Sequence, residues 1–267
     1  MVLQKGDYIL LDYTMLTKDD GKVIETTIEE KAKEANIYDP NQAYGPRLII
    51  LGETKIFEPL EEALLKSDEG SEITVEIPPE KAFGLRDQGK VKVVSIREFY
   101  RAGKVPKVGD IVEYNNQRAR VISVSSGRVI LDFNHPLAGK VIVINAKVVK
   151  KLTNDEDKVK EIVRQYLPRL DMSRVEAKHE NGQITIKLPS EVLFIEGIGT
   201  VKFRIAEELA QRFNDVKKII YVEELEVSRE EQQAQQPQQA AQAQQSQQEQ
   251  AATQVQQAQQ AQGGSSE

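Results

Sequence analysis

LGETKIFEPLEEALL, residues 51–65, carries a strand end, a turn and the start of a helix in one short run. Gly52 ends the apolar strand RLIILG (47–52) that leads into it. Pro59 suits a first helical position, where its missing N–H would be unpaired in any case. Glu61 and Glu62 favour the positive end of a helix dipole, Leu60, Ala63 and Leu64 fall at i, i+3 and i+4, and Gly70 can stop the chain. The spacing predicts a short helix that buries one face against strands. Upstream, Tyr8, Leu10, Asp12 and Thr14 alternate with Ile9, Leu11, Tyr13 and Met15, and Asp20-Gly21 in DGKVIETT (20–27) marks a hairpin. Downstream, SEITVEIPP (71–79) alternates again, with Ile73, Val75 and Ile77 on one side.

The texture then changes. KVKVVSIREFY (90–100) and KVGDIVEYNNQRARVISVSSGRVILDF (107–133) read as short strands, with turns at Gly109-Asp110, Asn115-Asn116 and Ser126-Gly127. This is the pattern of a small β module inserted into a larger β domain. NHPLAGKVIVINAKVVKKL (134–152) ends in one more long apolar strand. An αββαβ pattern occupies 154–228. Val159, Ile162, Val163, Tyr166 and Leu167 make a helical stripe behind an Asn154 or Asp155 cap, and Asn181-Gly182 signals a hairpin. Thr200 then precedes the amphipathic VKFRIAEELAQRF (201–213), and KKIIYVEEL (217–225) closes as a strand. From about Arg229 the chain is Gln, Ala and Ser, with Val255 its one large aliphatic side chain. Such a segment cannot offset the roughly 1–2 kcal/mol per residue needed to order its backbone, so a disordered, solubilising tail is expected over 229–267.

Composition narrows the chemistry. The 267 residues include 36 basic and 42 acidic, a net charge of −6 that weighs against wrapping a phosphate backbone. With no Cys, disulfides, thiolate nucleophiles and Cys-ligated metals are excluded. The only histidines are His135, in the turn-rich NHPLAG, and His179, in an alternating segment; they read as a loop cap and a half-buried strand residue. No apolar run is long enough to span a membrane, and the first residues alternate rather than forming a signal peptide, so a cytoplasmic protein is expected. No GxxxxGK[ST] or HExxH occurs, and the GxG in EGIGTVKF (196–203) reads as a turn. One reaction needs neither nucleophile nor metal nor proton transfer: rotation about an Xaa–Pro bond. Its barrier of about 18–20 kcal/mol is the loss of amide resonance, which a concave apolar site lowers by favouring the twisted amide.

DGKVIETT, LGETKIFEPLEEALL, IPPEKAFG (77–84) and DFNHPLAGK (132–140), in that order, resemble the FKBP family of peptidyl-prolyl cis-trans isomerases. The module between AFG and NHPLAG resembles the insert-in-flap domain of its SlyD-like branch, and 154–228 is similar to the extra domain of long archaeal members. The resemblance implies a β-rich α+β fold: a bent antiparallel sheet over one short helix (1–84 and 132–153), an inserted chaperone-like domain (85–131) and a C-terminal α+β domain (154–228). It implies a proline pocket in which Tyr13 and Glu25 meet the peptide and the backbone N–H of Phe57 binds a substrate carbonyl. Ile24, Ile56, Leu60, Leu137 and Ile144 would line it. Phe83 stands where the family usually has Tyr, Ile144 where it has Phe, and Arg47 where an apolar residue is common, so weaker activity is expected. No cofactor is implied. Metal binding is not carried over, because the tail lacks the His-rich sequence of SlyD proteins.

The insert holds many large apolar residues for its size: Ile96, Phe99, Tyr100, Val105, Ile111, Val112, Tyr114 and Val124. More than half must form its own core; the rest are left to hold unfolded chains, the role the resemblance implies. The expected partners are unfolded or nascent polypeptides with Xaa–Pro bonds, met by a monomer. The alternative is a non-catalytic polypeptide-binding chaperone with a degenerate pocket. A nucleic-acid factor using Lys202, Arg204, Arg212, Lys217 and Lys218 is a third reading, weakened by the net charge.

Overall fold

The structure, a computed structural model, describes residues 2–225. The expected tail lies outside the described residues. β1 (Tyr8–Thr17) and β2 (Val23–Thr26) form the Asp20-Gly21 hairpin, followed by α1 (Glu29–Glu34), β3 (Arg47–Ile50), α2 (Glu58–Leu64) and β4 (Glu72–Ile77). The insert contributes β5 (Val91–Ser95), α3 (Ile96–Arg101), β6 (Ile111–Tyr114), β7 (Gln117–Ser125) and β8 (Arg128–Asp132). β9 (Ile142–Leu152) returns to the first sheet. α4 (Asp155–Tyr166), β10 (Glu176–Glu180), β11 (Gln183–Pro189), α5 (Ile198–Arg212) and β12 (Lys218–Glu224) complete the αββαβ order.

The first sheet is antiparallel, ordered β2-β1-β9-β4, with β3 also on β1. β1 is shared along its length: residues 8–11 pair with β3, residues 14–16 with β2, and the whole strand with β9. Alternation along β9 buries Ile142, Ile144, Ala146 and Val148 together with Ile9, Leu11, Leu60, Leu64 and Ile77. Leu64 and Ile77 are fully enclosed; burial of one such side chain is worth about 1.5–3 kcal/mol. The β1–β9 register slips between Leu10 and Leu11, where Lys150 and Val148 are their successive partners. Tyr8, Leu10, Leu48 and Leu152 belong to a different core, the one built around α4, α5, β10 and β11. One end of the first sheet is therefore covered on both faces. A third core joins Val94, Phe99, Val121, Val129 and Leu131 inside the insert's own sheet, ordered β5-β8-β7-β6. All three cores lie within the compact unit formed by Met1–Leu188 and Val192–Val222.

Local chemistry accounts for most elements. Asn115-Asn116, Ser126-Gly127 and Asn181-Gly182 all take positive φ, the left-handed pair that closes a tight hairpin. Asn154 is the cap of α4, accepting from the Asp157 N–H at 2.6 Å. Two expectations are corrected, and one helix was not expected. IREFY is helix, not strand: the Ser95 hydroxyl oxygen accepts from the Arg97 N–H, Phe99 turns inward and Tyr100 outward, so the cap and a one-turn period override β propensity. α5 starts at Ile198, after left-handed Gly197, so Thr200 is inside its first turn rather than before it. α1 buries only Ala32 and rests on local charge, with Glu29 and Glu30 in its first turn and Lys33 paired to Glu29 at 2.6 Å.

Among the described residues no helix is long and apolar enough to cross a membrane.

Candidate functional site

A cavity of about 530 Å³ opens between β1, β2, β3, β9 and the turn into α2. Strand alternation sends Leu11, Tyr13 and Met15 of β1 and Ile144 of β9 toward it, while Ile56, Phe57 and Leu60 close it from the helix side. The lining is mostly apolar, with a few polar groups at one edge.

Its polar edge is one network. The Tyr13 hydroxyl donates to Glu25 Oε1 at 2.6 Å, and Arg47 Nη1 donates to the Tyr13 oxygen at 2.7 Å and pairs with Glu25 Oε1 at 2.8 Å. The Arg47 guanidinium also lies 5.6 Å from the Tyr13 ring centroid. Burial, and then the bond to Glu25, push the Tyr13 pKa far above its ordinary value, so this phenol keeps its proton. Arg47, charged where the resemblance implies an apolar residue, is thus bonded into the pocket edge. The carboxylate is held by β2 pairing with β1, where Glu25 faces Met15.

At the inner end, Phe57 and Phe83 meet edge to face with centroids 5.7 Å apart. Phe83 in turn stacks on His135, 4.8 Å away and nearly parallel. His135 Nδ1 accepts from the Leu137 N–H at 3.2 Å, so this histidine caps its loop and braces an aromatic wall. The Phe57 residue is the cap of α2, and among the described residues no protein acceptor takes its backbone N–H. That leaves a donor for a bound carbonyl.

Tyr13, Glu25, Ile56, Phe57, Leu60 and Ile144 therefore come together around one cavity, with Phe83 packed behind Phe57. Ile24 and Leu137 do not join its lining. Ile24 is the residue skipped where the β1–β2 register shifts between Met15 and Leu16, and it packs against the same core that holds Phe57, Leu60 and Ile144. Leu137 is half-buried in the loop that His135 caps. Sequence reasoning missed Gln165, which reaches the rim from α4 and lies 3.5 Å from the Leu48 carbonyl, a contact across 117 positions with no local signal.

The insert sorts its residues cleanly. Ile96, Phe99 and Tyr114 pack in its core, with the Tyr114 hydroxyl donating to Glu98 at 2.8 Å. Tyr100, Val105 and Ile111 are 54, 67 and 63% exposed, and Val108 and Ile122 are also exposed. Val108, Ile111 and Ile122 line a groove of about 990 Å³ whose other wall is the His135–Lys140 loop, the loop that braces Phe83. Where the chain enters and leaves the insert, Arg86 pairs with Asp132 at 2.6 Å and Asn134 binds both backbone groups of Asp87 at 2.9 Å. Of the basic residues considered for nucleic acid, Arg212 is engaged with Glu208 and Glu53.

Three family models match the chain. One described as "FKBP-type peptidyl-prolyl cis-trans isomerase" matches residues 2–98, "FKBP26, IF domain" matches 92–137, and "FKBP26_C-terminal" matches 155–226. A short-type peptidyl-prolyl cis-trans isomerase from Methanocaldococcus jannaschii is 42% identical over 147 residues, 55% of this chain and 92% of that one. An FKBP-type 16 kDa peptidyl-prolyl cis-trans isomerase from Escherichia coli strain K12 is 29% identical over 153 residues, covering 55% of this chain and 93% of that one. The FKBP-type peptidyl-prolyl cis-trans isomerase SlyD from Helicobacter pylori is 29% identical over 131 residues, 48% of this chain and 70% of that one.

Proposed function

Because the chain belongs to the FKBP-type peptidyl-prolyl cis-trans isomerase family, we propose that the cavity between Tyr13, Phe57, Leu60 and Ile144 rotates Xaa–Pro bonds of unfolded or nascent polypeptides while the insert holds them. The apolar cavity with one polar edge is the observation that carries this reading. A proline ring enters among Leu60, Ile144 and Phe57. The Phe57 N–H binds a carbonyl beside the bond, and the Tyr13–Glu25–Arg47 edge orients the flanking peptide. Rotation costs about 18–20 kcal/mol because resonance is lost. An apolar surround stabilises the twisted amide, with its smaller charge separation, over the planar one that water solvates best. No proton moves, which agrees with a Tyr13 kept protonated. Phe83 supplies no hydroxyl, so the donor that a tyrosine would bring there is missing and the rate per short peptide is modest.

Exposed Tyr100, Val105 and Ile111 give the insert its grip on clients. The groove from Ile111 to the His135 loop leads a held chain toward the pocket, raising the local concentration of prolines there. The work is placed in the cytoplasm, where nascent chains are.

The test is proline-limited refolding of a denatured protein by the whole chain and by the triple variant Tyr100→Ser, Val105→Ser, Ile111→Ser. The variant is expected to lose about tenfold or more of the refolding acceleration, equivalent to about 1.4 kcal/mol of client affinity. It should turn over a short peptide as before. Equal refolding rates would remove the insert from client holding.

A further inference from the structure

The proline cavity does not end at its rim. A second cavity, of about 270 Å³, lies between residues 43–48 and α4 and shares Arg47, Leu48 and Gln165 with the first. Its far wall is Glu161, Arg164 and Pro168. The α4 wall is fixed in place: Leu48 is buried in the C-terminal core, and Arg169 donates to the carbonyl and side-chain oxygens of Asn41 at 3.1 and 3.0 Å. A peptide bound with its proline in the first cavity thus has a continuous path over Arg47 to α4.

The chemistry along that path is unbalanced in one respect. Arg47 uses Nη1 on Tyr13 and Glu25, and Arg164 uses Nη1 on Glu161 at 3.2 Å. Among the described residues no acceptor takes the Nε or Nη2 groups of either arginine. Glu161 gives both oxygens to Arg164 and Glu25 gives Oε1 to Tyr13 and Arg47, which leaves Glu25 Oε2, whereas each guanidinium keeps its Nε and Nη2 donors in hand. Gly45, at φ +122°, faces Arg164 across the second cavity: a Cβ there would stand 3.9 Å from Arg164 Nη2.

We infer that α4 completes the substrate groove, and that Arg164, with Arg47 and Gln165, reads the residues flanking the proline and favours an acidic side chain over a basic one. This rests on the isomerase reading of the first cavity and adds a selectivity that the first cavity alone does not contain. The arginine side chains are about half exposed, 51% for Arg47 and 37% for Arg164. The preference is accordingly modest and shrinks as salt rises.

The experiment titrates the full chain with two eight-residue peptides that share a central Xaa–Pro and carry either Glu or Lys at the flanking positions. Binding is followed by the shift of the Gln165 side-chain amide signals and of pocket signals. The Glu peptide is expected to bind about three- to fivefold tighter than the Lys peptide at low salt. Arg164→Glu should reverse the order, and Arg164→Lys should keep it. The readout is a ratio within each protein, so a general loss of affinity in one variant cannot imitate it. Equal affinities for the two peptides, or a ratio untouched by the reversal, would overturn the inference. Exchange of a four-residue Xaa–Pro peptide, measured beside the titration, reports the first cavity separately. If that exchange is not accelerated while the Glu/Lys ratio holds, the isomerase reading fails and the groove stands.

Discussion

Arg47 determines how firmly the polar edge of the pocket is set, since it bonds both Tyr13 and Glu25. Arg47→Ala leaves the Tyr13 hydroxyl tied to Glu25 alone and frees the Glu25 carboxylate to turn toward water. With both charges partly exposed, the loss in kcat/KM on a short Xaa–Pro peptide should be about three- to tenfold, measured by NMR exchange. An unchanged rate would mean that the edge is only scaffolding. Tyr13, Phe57, Leu60 and Ile144 were legible because the order of four motifs placed them in a known frame. The bonds Arg47 makes were not legible, because its partners are brought together by two different strand pairings. The register shift that skips Ile24 was likewise not legible, because a bulge in β2 leaves no mark in the local alternation.

The hairpin between β10 and β11 shows how much an element owes to one residue. Gly182 sits at φ +70°, and a Cβ there would come within 2.7 Å of the Asp215 carbonyl oxygen. Backbone strain and the forced shift both oppose a side chain. Gly182→Ala should cost about 1–3 kcal/mol, read as a lower denaturant midpoint for the C-terminal signals. A midpoint equal to that of the parent chain would contradict the close approach. Turns of this kind were readable because Asn-Gly chemistry is local. The helices α1 and α3 were not. α1 carries a single buried residue, and in IREFY the aromatic and β-branched side chains suggest a strand until Ser95 caps the turn.

Across the whole molecule, the β1–β9 pair of the first sheet serves two of the three cores, and the insert's own sheet carries the third. The αββαβ order was legible from periodicity, whereas the placement of α4 beside β3 was not, because it depends on pairing residues such as Leu48 and Gln165 far apart in the chain. Leu193, Phe194, Ile195 and Phe203 are exposed on the C-terminal part, so apolar surface there goes beyond what its own core uses. On the proposed function, the cavity beside Tyr13 and Phe57 lowers the barrier to proline rotation. The most direct measurement is exchange NMR on a four-residue Xaa–Pro peptide with the whole chain present in small amount. Uncatalysed exchange takes about tens to hundreds of seconds, and the expected result is exchange at least about tenfold faster, a barrier lowered by roughly 1.4 kcal/mol or more. Tyr13→Ala should remove most of that gain. Exchange at the uncatalysed rate, with the peptide demonstrably bound, would contradict the account.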